Sequence, residues 1–171
     1  MDDKALTKKP SDLSLGEFIR EYGGIYEHSP WIAEGAYTAR ANIATVVALH
    51  TAMKTAVANA PRDKKLALIK AHPDLACAPF EAAKLTQSSV SEQKGAGLNQ
   101  CTAEEYAEFQ KLNADYKKKF GFPFIIAVKG LNRLDILKEF RRRMNNAPDE
   151  EFNTALGQID RIAYFRLMAL P

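Results

Sequence analysis

A chain of 171 residues, 46% hydrophobic and 26% charged, has a globular composition and the length to bury a core without disulfides or a structural metal. Its 24 basic and 21 acidic residues leave a net charge of +3, too balanced to imply nucleic-acid or membrane binding by charge alone, whereas small anionic substrates fit it. The opening MDDKALTKKP lacks the apolar stretch of a secretory signal, no apolar run reaches transmembrane length and the closing LMALP is no peroxisomal tripeptide, so the cytoplasm is expected by elimination. Cys77 and Cys101 form no CxxC pair; free, mostly buried thiols are expected, with no zinc site.

Residues 1–12 read as a loose lead-in, and residues 13–171 as one helical domain. Ser14-Leu-Gly-Glu17 opens a short helix carrying Phe18, Ile19 and Tyr22, which Gly23-Gly24 ends. Ser29-Pro30 starts another, with Pro30 at its first helical position and Trp31, Ile32 and Tyr37 as its apolar residues. Across residues 42–60, Ile43, Val46, Val47, His50, Met53 and Val57 recur at helical spacing and predict a long, largely buried helix. His50 lies on that apolar stripe, where a histidine is a hydrogen-bonded packing residue more often than a ligand.

Residues 66–98 hold the polar groups best placed to face a ligand. A helix over 63–71 ends at His72, because Pro73 pushes the residue before it out of helical geometry. An imidazole, with an ordinary pKa of about 6.5, can act there as acid or base; the plainer reading is a histidine favoured at a helix C-terminus by the dipole. Ser89, Glu92 and Gln93 stand at i, i+3 and i+4 and share one helical face. They can converge on one polar ligand, or Ser89-x-x-Glu92 can be a capping box that starts the helix.

Thr102-Ala-Glu-Glu105 is a second capping box, opening a helix on Tyr106, Phe109, Leu112, Tyr116 and Phe120 that Gly121 ends. Lys117, Lys118 and Lys119 form its solvated basic end. Phe124, Ile125, Ile126, Ala127 and Val128, between Pro123 and Gly130, have the composition of a buried strand without a partner strand. Such a segment must satisfy its peptide groups elsewhere, and a bound ligand is one way; a packed connector or short helix is the other. Residues 131–144 resume a helix in which Arg141, Arg142 and Arg143 point in three directions, suiting solvation and local salt bridges better than DNA contact. In the last helix, from about Pro148, Arg166 falls within about 40° of the centre of the apolar face and Arg161 falls opposite. An inward guanidinium needs an anionic partner, either a buried carboxylate or a ligand.

These elements make an all-α domain of roughly eight to ten helices, with no significant sheet and a candidate small-molecule site. No P-loop, dinucleotide fingerprint or metal cluster accompanies it, which favours cofactor-free chemistry. AHPDLA at 71–76, SVSEQKGAGL at 89–98 and KFGFPFIIAVKG at 119–130, followed by IAYFRLMAL, resemble the 2-oxo-4-hydroxy-4-carboxy-5-ureidoimidazoline (OHCU) decarboxylases. The resemblance covers nearly the whole chain after the first dozen residues. It implies an all-helical fold, often homodimeric, that converts OHCU to S-allantoin in the final step of uric acid degradation, with no cofactor or metal and no nucleic-acid or membrane partner. It makes His72 the proton-transferring residue, with Glu92 and Arg166 as further catalytic groups. Substrate-binding roles fall to Pro73, Ser89, Val90, Ser91, Glu92 and Gln93, and to Phe124, Ile125, Ile126, Ala127 and Val128. Two other classes stay open: a helical nucleic-acid binder using the basic runs, and a family member without catalysis that serves as a ligand-binding or scaffold protein.

Overall fold

Capped amphipathic segments separated by Pro and Gly become helices in the computed structural model of the chain, which describes residues 3–75 and 86–171. Among the described residues there are eight α-helices: α1 (Leu15–Tyr22), α2 (Trp31–Tyr37), α3 (Val46–Ala58), α4 (Arg62–Lys70), α5 (Gln87–Gly95), α6 (Ala103–Phe120), α7 (Arg133–Arg143) and α8 (Pro148–Met168). Among the same residues no strand pairs into a sheet; an isolated antiparallel bridge joins Ala5 and Thr45. The chain is all-α, as its periodicity predicts. No helix among the described residues is long and apolar enough to cross a membrane. Backbone contacts divide the chain into two units, Met1–Ala71 with Ile159–Pro171, and His72–Gln158.

In the first unit α1 packs on α2 and α2 on α3, burying Phe18, Tyr22, Ile32, Ala36, Leu49 and Met53. The capping box of Ser14 and Glu17 starts α1 as expected. The helix predicted over 42–60 is shorter than its apolar spacing suggests: residues Arg40–Asn42 form a 3-10 turn, Thr45 caps α3, and Val47 lies 46% exposed. Thr45 accepts from the Ala48 N–H, so the chain enters the helix there and Ile43 packs from outside it. His50 is the packing residue expected, its Nε2 2.7 Å from the Asp160 carbonyl and its pKa lowered chiefly by burial. The segment before α1 is tied to the start of α3 and the end of α8: Val46 N–H donates to Lys4 O at 2.8 Å, and the Lys4 ammonium donates to Met168 O at 2.9 Å.

The second unit is organised on aromatic rings. Phe124 stacks on Phe140 at 3.8 Å between centroids, and Tyr116 meets Phe124 edge-on at 5.4 Å. The Arg143 guanidinium lies 4.3 Å over the Phe124 ring. Arg143 corrects the reading of the basic run, since its side chain is 1% exposed and paired with Glu151, at 0%, through an N–O distance of 2.8 Å. Tyr116 and Asn146 also donate to that carboxylate. Arg141 and Arg142 are the surface ion pairs expected, on Glu108 and Glu139. Cys101 is disulfide-bonded, not a free thiol, a second correction; Cys77 lies outside the described residues.

Burial, the strongest influence on Glu151, pushes its carboxyl up, but hydrogen bonds from Arg143 and Tyr116 outweigh it and hold the pKa below the ordinary glutamate value. Because the folded value lies below the unfolded one of about 4.3, this carboxylate stabilises fully above that pH and its contribution is lost as pH falls through the folded value. Glu151→Gln leaves Arg143 buried without a counter-charge and is expected to cost about 3–5 kcal/mol at neutral pH, read as a lowered melting temperature. The wild type should then lose stability more steeply than the variant below about pH 4. A variant melting with the wild type at neutral pH would show the pair to be dispensable.

Candidate active site

His72 follows the end of α4, where Ala71 still donates to Ala67 O at 2.9 Å and Pro73 prevents another turn. The next two residues are fastened to α6: Asn113 Nδ2 donates to Leu75 O at 3.1 Å, and Lys117 Nζ to Asp74 at 2.6 Å. Lys117, expected as a solvated end, thus anchors the turn that carries His72. The imidazole is held in place, with the residue 8% exposed, rather than free in solvent at a helix end.

Helix α5 begins one turn earlier than the Ser89-x-x-Glu92 pattern suggests. Thr86 is its cap, accepting from the Ser89 N–H at 3.2 Å, so the capping-box reading of Ser89 and Glu92 is overturned. Ser89 becomes the third residue of the helix, and its hydroxyl accepts from that of Thr86 at 3.1 Å. Ser89 and Gln93 are buried at 5% and 7%, and Glu92 between them is half-buried. Val90 is also half-buried, while Ser91 is exposed. Helix starting is thereby removed as a reason for Glu92 at this position, and the shared face of Ser89, Glu92 and Gln93 remains.

Phe124, Ile125, Ile126, Ala127 and Val128 are all buried and belong to neither helix nor strand. The partners demanded by an irregular buried backbone come partly from side chains: Arg143 Nη1 donates to Ile125 O at 2.7 Å, and Gln158 Oε1 accepts from the Ala127 N–H at 2.9 Å. The sequence did not single out Gln158, Asn113 or Thr86. Thr86 was in reach of sequence reasoning, as a cap-competent hydroxyl three residues before Ser89; the other two act across long separations with no local signature.

Arg166 belongs to the first unit. Its inward placement is confirmed by a side-chain exposure of 9%, and the anionic partner it needs is Glu27, 1% exposed, at 2.8 Å. Its Nη1 donates to Ile25 O at 3.2 Å. His28, next to Glu27, takes a left-handed backbone with φ of 46°, uncommon outside glycine, and the Ser29 hydroxyl donates to Glu27 O at 2.8 Å. Arg161, on the opposite side of α8, is exposed. Among the described residues no three His, Cys, Asp or Glu side chains gather closely enough to hold a metal ion.

An all-helical protein that buries a histidine at a helix end, a serine and glutamine on one helix face, and an irregular apolar segment held by side chains is the class that this fold and site define. Residues 11–168 match the OHCU decarboxylase family, and the chain belongs to that family. It is 43% identical over 155 residues to the 2-oxo-4-hydroxy-4-carboxy-5-ureidoimidazoline decarboxylase of Haloferax volcanii, covering 91% of this chain and 89% of that one. A crystal structure of OHCU decarboxylase in the presence of (S)-allantoin is similar with a TM-score of 0.65 and 25% identity, over 80% of this chain and 87% of that one. A crystal structure of (S)-allantoin synthase gives 0.76 and 33% over 94% of this chain, which spans 52% of that longer chain.

Loss of Thr86 and loss of the Glu92 charge should separate cleanly. Thr86→Ala removes a helix cap and is expected to cost about 0.5–2 kcal/mol of stability with little change in kinetics of the folded protein. Glu92→Gln keeps the side-chain size but trades a two-oxygen acceptor for one acceptor and one donor, so kcat/KM is expected to fall on the order of 10²-fold with the melting temperature nearly unchanged. An active Glu92→Gln enzyme would remove Glu92 from the chemistry.

Proposed function

We propose that this chain decarboxylates OHCU to S-allantoin, the final step in degrading uric acid to allantoin. The observation that carries the reading is the family match over residues 11–168, together with the burial of His72, Ser89 and Gln93 on the motifs that define the resemblance. The substrate needs no external electron sink. As the bond to the carboxylate carbon breaks, its electron pair passes into the adjacent ring C=N, and one proton delivered to one face sets the S configuration. The protein has to hold the scissile carboxylate out of the conjugated plane, stabilise the enolate-like anion and deliver that proton.

In this reading His72 transfers the proton, with Pro73 beside it in sequence fixing the turn. Ser89, Glu92 and Gln93, with Val90 and Ser91, bind the ureido and ring nitrogens, and residues 124–128 supply further substrate contacts. Arg166 holds charge that develops on a ring oxygen. Stabilising the departing carboxylate itself would favour the ground state and slow the reaction. The family resemblance further supports a cytoplasmic homodimer without cofactor, with residues 13–171 as its catalytic part.

Generating OHCU in situ from urate and following the circular dichroism of allantoin tests the activity directly. With the protein present, S-allantoin should accumulate faster than the spontaneous reaction. Racemic product at the spontaneous rate would overturn the reading, and tight allantoin binding without turnover would mark a family member that only binds.

A further inference from the structure

Residues 124–128 form a buried run whose regular hydrogen bonds are missing, so its shape depends on whatever pins its peptide groups. Two side chains do so at alternate residues. Arg143 Nη1 donates to Ile125 O at 2.7 Å, and Gln158 Oε1 accepts from the Ala127 N–H at 2.9 Å. Clamping Ile125 and Ala127 leaves Ile126 between two fixed peptide groups.

The Arg143 end of this clamp is rigid for identifiable reasons. The guanidinium donates to Glu151 through Nε at 3.1 Å and Nη2 at 2.8 Å, and the carboxylate is further held by Tyr116 and Asn146. That network accounts for the burial of Arg143 and anchors one peptide group. The Gln158 end is different. Gln158 is half-buried on α8, and its one hydrogen bond to the segment fixes the amide of Ala127 without belonging to a charged network. It supplies the acceptor that the buried Ala127 N–H requires and thereby sets where that peptide group sits.

We propose that Gln158, with Arg143, is a positioning residue of the active site: it aligns residues 124–128 so that the segment meets the substrate in a fixed geometry. This rests on the proposed decarboxylase reading, in which that segment contacts the substrate. Misplacement of a substrate-binding segment by about 1 Å can cost as much as 10²-fold in rate, an effect on the folded enzyme separate from the stability lost when the buried Ala127 N–H has no acceptor.

The test compares wild type, Gln158→Met, Gln158→Asn and Gln158→Glu, each assayed for kcat, KM and melting temperature on OHCU generated from urate. Gln158→Met keeps the volume and removes the acceptor; kcat/KM of the folded enzyme is expected to fall about tenfold or more, alongside a lowered melting temperature from the unpaired Ala127 N–H. Gln158→Asn withdraws the acceptor by one methylene and carries the same expectation, so the comparison stands should the methionine variant fail to fold. Gln158→Glu retains an oxygen acceptor and should recover most of the loss. Wild-type kcat/KM in both acceptor-deleted variants, or a glutamate variant as impaired as methionine, overturns the proposal. A wild type that does not accelerate the reaction would instead overturn the decarboxylase reading, so the two failures are distinguishable.

Discussion

Replacement of His72 by asparagine is expected to lower kcat by about 10²–10⁴-fold, the usual contribution of a general acid–base group, while the protein folds and melts nearly as the wild type does. The structural argument for a mild effect on folding is local. His72 lies past the end of α4, and the turn it belongs to is fastened by its neighbours, through Asn113 to Leu75 and Lys117 to Asp74. Asparagine keeps a polar side chain at this 8% exposed position but cannot exchange a proton near neutral pH. Kinetics by circular dichroism of allantoin and thermal melting decide it. A variant with wild-type kcat would reduce His72 to a helix-end residue, and one that unfolds would make its role structural.

How much of this was legible in the sequence depends on the range of the interaction concerned. Caps at Ser14 and Thr102 and the glycine stop at Gly121 are local devices, and the pattern placed them correctly. At α5 the same local signal misled, because two hydroxyls three residues apart both suit a cap. The S-x-x-E spacing pointed to Ser89, whereas Thr86 takes the role and leaves Glu92 in the helix body. The unusual character of residues 124–128 was readable as a buried run without a partner strand. Its partners were not, since Arg143 and Gln158 lie 18 and 31 residues from the groups they bind. Arg143 shows the limit most clearly: three consecutive arginines look equivalent in sequence, yet one is buried because Glu151 meets it across the fold. Arg166 stood between, with its inward direction fixed by helical angle and its partner Glu27 invisible to periodicity.

For Arg166 the structure supplies the carboxylate that an inward guanidinium requires, and this changes what each substitution should do. Arg166→Ala leaves Glu27 buried without its counter-charge and is expected to cost about 3–5 kcal/mol, seen as a large drop in melting temperature. Activity of that variant alone would therefore be hard to read. Arg166→Lys preserves the charge near Glu27 but replaces the planar fork, which now serves Ile25 O and Glu27 Oε1 through separate nitrogens, by a single ammonium. If Arg166 also steadies charge on the substrate, kcat/KM in the lysine variant should fall on the order of 10²-fold, the size of a lost oxyanion donor, with a smaller loss of stability than alanine causes. Glu27→Gln provides the complementary change by removing the carboxylate and leaving the guanidinium in place. A purely structural pair predicts that Arg166→Lys and Glu27→Gln lower the melting temperature alike while the folded fraction keeps wild-type kcat/KM. Arg161→Ala, on the exposed side of α8, should change neither quantity appreciably and serves as the control for adding or removing an arginine on this helix. Kinetics and melting on the four variants, with and without allantoin, separate the cases: a destabilised but fully active Arg166→Lys enzyme takes Arg166 out of the chemistry.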